Sequence, residues 1–396
     1  MPSILPCRGR NSPPPGASSM PPGPCPALSA TELVDWIRLI RSENVGSVTF
    51  RRLLERYGRA DRALKALPDL ARQGGRRGRI RIYPVAEAER EIDRLGRLGA
   101  RLLALGEPAY PAALAQIEDA PPLLSILGHP SLLGAPAVGV VGARNASLGG
   151  RRLARSIAAD LGRGGLVVVS GLARGIDTAA HEGALETGTV AVLAGGVDSV
   201  YPRENDSLWR AIAERGAVVS EMPPGLIAKA RDFPRRNRLI SGLSLGVVVI
   251  EAGARSGSLI TARMALEHGR EVFAVPGSPL DPRSLGTNDL IRQGAVLTES
   301  AQDVLNILKG QSPTLLEEPQ SIDFKGTSIE PPDQAEVDRA RSIVQENLSP
   351  APVTVDEILR SCQLSPPVVS LVLLELELAG RLERHPGNKV SLIREA

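Results

Sequence analysis

Six short runs between residues 137 and 277 are almost wholly apolar: AVGVVGA (137–143), LVVVS (166–170), TVAVLAG (189–195), AVVSE (217–221), GVVVIEA (246–252) and EVFAVPG (271–277). Segments of helical periodicity, 148–163, 175–187, 205–215 and 258–269, lie between them. A strand that is apolar along its length, rather than at alternate positions, must be covered on both faces. Such strands alternating with helices predict an α/β chain with a Rossmann-like parallel sheet at its core. That core is expected to span 81–308.

The flanks read differently. Residues 1–26 are Pro-rich and lack an apolar h-region, which predicts a disordered tail rather than a secretory signal. In 27–80 the segment TELVDWIRLIRS sets Leu33, Val34, Ile37, Leu39 and Ile40 at helical spacing. The next segment, NVGSVTFRRLLERYG, places a Gly-containing turn before an amphipathic helix and resembles SAM-like and helix-hairpin-helix modules. Such a hairpin can meet phosphates through the N–H groups of a helix start, or it can simply pack. Residues 309–332 lose periodicity and read as a linker. From 333 to 396 the pattern predicts a winged helix. It comprises a helix over 335–347, a second capped by Thr354, a third starting at Ser365 with Pro366 and Pro367, and a hairpin in RLERHPGNKVSL.

Several chemistries have no signature. Cys7, Cys25 and Cys362 have no ligand or pairing spacing, so neither a metal site nor a disulfide framework is expected, and a reducing cytoplasm is the expected location. There is no G-x-x-x-x-G-K-[ST] phosphate loop, and VVGARNAS lacks the G-x-G-x-x-G fingerprint, so no cofactor is expected. No G-x-S-x-G elbow exists, because Val168 and Ala254 stand where its first glycine would be. No run has the length of a bilayer-spanning helix. The whole-chain charge is only +3, yet 51–81 carries eleven basic and three acidic residues. That block suits a polyanionic partner, or is a solvated Arg-rich surface.

Ligands of an open parallel sheet bind beyond the carboxyl ends of its strands. The loops there are GARNAS (142–147), SGLARGID (170–177), GGVDSVYPREN (195–205), EMPPG (221–225) and EAGARSGSLITA (251–262). Gly142 lies in the first. Ser170, Gly171 and Gly175 can form one phosphate cradle, and Gly257 with Ser258 another, although glycines also serve tight turns. His181, inside a helix, reads more as a packed or capping residue than as a base. Asp177, Asp198 and Glu251 are candidate catalytic carboxylates, Asp177 being equally a partner for a helix dipole. No catalytic residue announces itself. The same rim carries RDFPRRNRLISGLS (231–244), where Arg231, Arg235, Arg236 and Arg238 surround Phe233 in a chain only 3% aromatic. A cationic groove with a stacking face suits sequence-tolerant single-strand binding; the alternative is a phenylalanine plugging the core beneath a loop.

The ordered motifs YPAALAQIEDAPPLL (110–124), VGARNAS, VSGLARGIDTAAHEGAL, AVLAGGVDSVYPREN, SEMPPG, FPRRNRLISGLS, EAGARSGSLITARMALEHGREVFAVPGS and GTNDLIRQGA (286–295) carry a wider likeness. On them the chain resembles the DNA-processing protein A (DprA/Smf) family. The resemblance implies a cytoplasmic, non-enzymatic recombination mediator. Such a protein binds single-stranded DNA, forms a homodimer through the Rossmann-like domain and loads the RecA recombinase onto incoming strands in natural transformation. It also implies Arg144, Lys229, Phe233, Arg235, Arg236, Asn237 and Arg238 as the strand-binding residues. Ala143 departs from the family, where a small hydroxyl residue is common. The recognition helix, 365–380, carries Glu375 and Glu377 and no Lys or Arg, so it is expected to repel a phosphate backbone. The winged helix is therefore expected to contact protein, or DNA only through Arg381, Arg384 and Lys389. An alternative is a nucleotide-processing enzyme. Phosphoribohydrolases share the E-x-G-x-x-x-G-S turn, with Arg144 and Ser258 on a phosphate and Glu251 assisting sugar-bond cleavage. A third reading, a regulator of duplex operators, is disfavoured by the acidic helix.

Overall fold

The computed structural model describes residues 28–310, 334–385 and 387–393. The expected tail and nearly all of the expected linker lie outside the described residues. Nine strands form the main sheet: β1 (Arg101–Ala104), β2 (Leu123–Gly128), β3 (Ala137–Gly142), β4 (Val167–Ser170), β5 (Thr189–Val192), β6 (Ala217–Ser220), β7 (Gly246–Ile250), β8 (Glu271–Ala274) and β9 (Val296–Leu297). Their order is β1-β2-β6-β5-β4-β3-β7-β8-β9. From β6 to β9 every pairing is parallel. The pair β1 and β2 adds an antiparallel edge. All six strands expected from the sequence are present.

The continuous apolar runs feed two cores at once. Side chains alternate across a strand. Val141, Val169, Val247 and Val249 pack on one face with Leu239, Ile240 and Ala262. Val138, Val140, Val168 and Val248 pack on the other with Ile157, Ile176 and Ala180. Chain order runs outward from β3 to β6, then crosses back to β7 on the other side of β3. That reversal opens a crevice at the carboxyl ends of β3 and β7. The returning connection is the Arg-rich segment, folded as the helix Asp232–Gly242.

The flanking modules share a core. Helices Ala30–Arg41, Ser47–Tyr57 and Ala60–Gln73 lie at one end of the chain. Helices Gln334–Asn347, Val355–Cys362 and Pro366–Leu378, with strands β10 (Val353–Thr354), β11 (Leu382–His385) and β12 (Lys389–Leu392), form the winged helix. Thr354 makes a full capping box with Glu357, as its position implied. Leu53, Leu64 and Leu67 of the first module join Val369, Val372, Leu373 and Leu376 of the last in one apolar cluster. Asn44 donates to the Leu378 carbonyl at 3.1 Å. Contact at Gly74 is so close that a Cβ there would stand 1.9 Å from the Glu375 carbonyl oxygen.

This packing corrects the expected role of the acidic helix. Glu375 is 1% exposed and accepts from Arg341 Nε at 2.6 Å and Nη2 at 2.9 Å. Glu377 accepts from Arg384 Nε at 2.9 Å. The acids hold the winged helix together instead of confronting a phosphate backbone, and the protein that the helix contacts is the chain's own N-terminal module. Arg384 is thereby engaged, while Lys389 stays exposed.

Candidate nucleic-acid interface

A cleft of about 800 Å³ occupies the crevice beyond β3 and β7. Gly142 to Arg144 form one wall, the 228–237 connection another, and Gly253 to Ser258 a third. A smaller hollow of about 330 Å³ adjoins it and shares Arg144, Ala173, Tyr201 and Phe233.

Phe233 sits in the first turn of its helix. Asp232 is buried there and accepts from the Lys229 N–H at 2.7 Å, which folds the loop into the helix start. Pro234 is tolerated because first-turn N–H groups have no helical partner. The Phe233 ring is half-buried and open to both hollows, so it is not a sealed plug. The Arg144 guanidinium carbon lies 5.2 Å from its centroid. Tyr201, 57% exposed, places its ring 5.4 Å away at 58°. Lys229 and Arg235 are exposed, and Asn237 donates to the Gly257 carbonyl at 3.4 Å.

Two of the expected strand contacts, Arg236 and Arg238, are buried, although Arg236 still lines the floor of the cleft. The Arg236 guanidinium is buried and donates to the Gly171 carbonyl at 2.6 Å and to the Val192 carbonyl. Burial pulls its pKa down to about 10, against the pull of nearby Asp177. It clamps the ends of β4 and β5 beneath the cleft. Arg238 is 6% exposed, pairs with Glu221 and donates to the Asp119 carbonyl at 2.7 Å. It is absent from the cleft lining. The Arg238 guanidinium, already desolvated against the Glu221 and Asp119 carboxylates, has no free face for a phosphate.

The cradles also need revision. Asp177 accepts from the N–H groups of Gly171 at 3.2 Å and Ala173 at 3.3 Å, so the chain's own carboxylate fills that turn. Burial raises the Asp177 pKa, opposed by the Arg236 charge. Ser170 is buried and donates to the Val140 carbonyl at 2.6 Å. Gly175, at φ +81°, lets the loops after β3 and β4 touch: a Cβ would stand 2.3 Å from the Ala143 carbonyl oxygen. Gly142 serves a closer approach still, a Cβ there standing 1.9 Å from the Ile250 carbonyl oxygen. The Gly171 turn is thus occupied by Asp177 and Ser170 is held by backbone, while Gly142 lines the cleft.

Glu251 fills a second turn. Its carboxylate accepts from Ser147 N at 2.8 Å and from the Ser147 hydroxyl, at the start of the helix Leu148–Arg163. The third turn differs. Ser256 caps the helix Gly257–Glu267, Gly257 has open space around it, and no carboxylate of the described residues closes it. Ser258 itself is buried, its hydroxyl 2.7 Å from that of Ser256. Exposed Arg255 lines the cleft beside this turn.

The remaining candidate acids are engaged too. Asp198 accepts from Gly225 N at 2.6 Å and Arg94 Nη2 at 2.8 Å. His181 is buried with Nδ1 2.7 Å from the Thr189 hydroxyl, and burial pushes its pKa down to about 3. Of the packed and capping roles its helical position allowed, it takes the packed one. Among the described residues no cluster of His, Cys, Asp or Glu could hold a metal, and no helix is long and apolar enough to cross a membrane.

Sequence reasoning missed Tyr201 and Arg255. Both stand in loops already identified, and the scarcity of aromatics was the available signal for Tyr201.

Comparison with known proteins matches this architecture along most of the chain. Residues 101–309 match the family model for DNA recombination-mediator protein A. Residues 30–93 match a DprA-like N-terminal HHH domain and 328–388 a DprA winged helix domain. Protein Smf of Escherichia coli K12 is 38% identical over 319 residues, 80% of this chain and 84% of that protein. The DNA processing protein DprA of Streptococcus pneumoniae R6 is 48% identical over 201 residues, 50% of this chain and 71% of that one. An X-ray structure of Streptococcus pneumoniae DprA superposes with a TM-score of 0.59 at 38% identity, covering 70% of this chain and 98% of that one. With its sheet, its flanking modules and its motifs all in register, the chain belongs to the DNA recombination-mediator protein A (DprA/Smf) family.

Proposed function

We propose that the cleft binds single-stranded DNA, and that the protein is a non-catalytic mediator that delivers the strand to the RecA recombinase. The observation that carries this reading is the Phe233 ring, open to the cleft between Arg144 and Tyr201. An unpaired base offers a free π-face to such a ring, whereas a base inside a duplex does not. Arg144, Lys229, Arg235 and Arg255 are exposed around it and suit the backbone. Asn237 and the open Gly257 turn, with Ser258 behind it, complete the proposed surface. Action in the cytoplasm and as a homodimer belongs to the same proposal.

The enzymatic alternative is weaker on its own geometry. Glu251, the residue it would need beside a sugar bond, caps a helix, and Asp177 and Asp198 are held by backbone N–H groups. A duplex-reading regulator would need the helix Pro366–Leu378 free, and that helix is packed against the N-terminal module.

Fluorescence anisotropy with labelled oligonucleotides tests the proposal. Single strands should bind more tightly than the same sequence as duplex, with log affinity falling by about 0.7 per phosphate contact for each tenfold rise in salt. Equal affinity for both forms would count against it. RecA filament assembly on single-stranded DNA should accelerate when the protein is added. Release of free base from nucleotides would favour the enzyme instead.

A further inference from the structure

Beyond the cleft, helices Leu148–Arg163 and Ile176–Ala184 border a groove of about 340 Å³. Arg151, Arg152 and Arg155 line one side, and Thr178, Glu182 and Glu204 the other. Its acids are already matched. Glu182 pairs with Arg155, and Glu204 pairs with Arg174 at 2.7 Å. Arg151 and Arg152 are exposed, and their side chains make no hydrogen bond or ion pair with the described residues. The groove therefore carries two uncompensated positive charges.

The groove is continuous with the proposed site. Arg174 lines the smaller hollow together with Arg144, Tyr201 and Phe233, while its partner Glu204 lines the groove. One ion pair is thus the divide between the two. Among the described residues no aromatic side chain lines the groove, so it offers charge without a stacking face.

We propose that this groove is a second subsite, taking the sugar-phosphate backbone of the same unpaired strand as it leaves the cleft. The inference rests on the single-strand reading of the cleft. Bases stack at Phe233 and Tyr201, the next phosphates pass Arg174, displacing Glu204, and those beyond it meet Arg151 and Arg152. The ligand class is polynucleotide phosphate, read without regard to sequence.

Oligomer length separates the two parts of the site. Thymidine oligomers of about six and about eighteen nucleotides bracket the span of a single module. The parent should bind the longer one more tightly and with a steeper salt slope. In the double variant Arg151→Glu, Arg152→Glu the gain with length should disappear. Losing two contacts lowers the slope by about 1.4 and the long-oligomer affinity roughly 25-fold near 0.1 M salt. The variant Arg151→Lys, Arg152→Lys should retain most of the gain. An unchanged length dependence in the charge-reversed protein, with its melting temperature preserved, would overturn the inference. Failure of the parent to bind either oligomer would overturn instead the reading on which it rests.

Discussion

Arg144 and Phe233 come from opposite sides of the β3–β7 crevice, and the guanidinium carbon of one lies 5.2 Å from the ring centroid of the other. The contact joins the loop after β3 to the start of the crossover helix. It presents a cation and a π-face to the same space. Exposed cation–π pairs are worth about 0.5–1 kcal/mol, enough to bias two side chains toward one arrangement.

That relationship predicts coupling. Arg144→Ala and Phe233→Ala should each weaken oligonucleotide binding. The double variant should lose less than the sum of the two, because residues in contact are not additive, typically by at least about 0.5 kcal/mol. A double-mutant cycle on dissociation constants measures this directly. Strict additivity would mean that the two residues act on the strand independently.

Tyr201 should be a second stacking face. Tyr201→Ala should cost about 1–3 kcal/mol of single-strand affinity, whereas Tyr201→Phe keeps the ring and should bind like the parent. Since the side chain is exposed, neither change should shift the melting temperature.

Arg238 and Arg235 should separate stability from binding. Arg238→Ala leaves Glu221, with a side chain 12% exposed, without its cation. Breaking a buried pair from one side costs about 3–5 kcal/mol. Urea unfolding should show that loss. Arg235→Ala should leave the unfolding curve in place and lower the salt slope of binding by about 0.7.

Acid sensitivity should trace in part to His181. Its folded pKa, about 3, is depressed below the ordinary value of 6.5, so the unfolded chain takes up the proton first. The stability it supports is complete above pH ~6.5 and is lost as pH falls toward ~3, at up to about 1.4 kcal/mol per pH unit. Asp177, raised by burial, titrates in the opposite sense and is common to parent and variant. Urea unfolding of His181→Leu across this range should show a shallower pH dependence than the parent. An identical slope would place the acid sensitivity elsewhere.

The junction between the flanking modules should tolerate no side chain at Gly74. A Cβ there meets backbone at 1.9 Å, and backbone cannot swing aside. Gly74→Val should therefore destabilise the shared core by about 1–3 kcal/mol, read as earlier thermal unfolding.

The central strands were legible because their valines fill two cores, which leaves an unbroken apolar run in the sequence. Strands β1 and β9 carry no such mark: β1 is a four-residue edge and β9 has only two residues. The acidic helix was misread from its charges alone. VVSLVLLELEL is apolar around nearly its whole circumference, the pattern of a buried helix, and burial rather than charge decides what Glu375 does. Within the site, Phe233, Asn237 and Ile240 share a helical face toward the cleft, whereas Arg238 turns away from it. Reading the Arg-rich segment as a helix would have separated those residues. That Asp177 and Glu251 would supply their own anions to two turns could not be read from spacing, because both contacts depend on where loops distant in sequence meet.

The central claim is that an open phenyl ring grips unpaired bases. Single-strand affinity of Phe233→Ala against the parent, at one salt concentration and with folding verified by melting, tests it most directly. A loss of about 1–3 kcal/mol is predicted, roughly 5- to 150-fold in the dissociation constant. An unchanged dissociation constant would contradict the account.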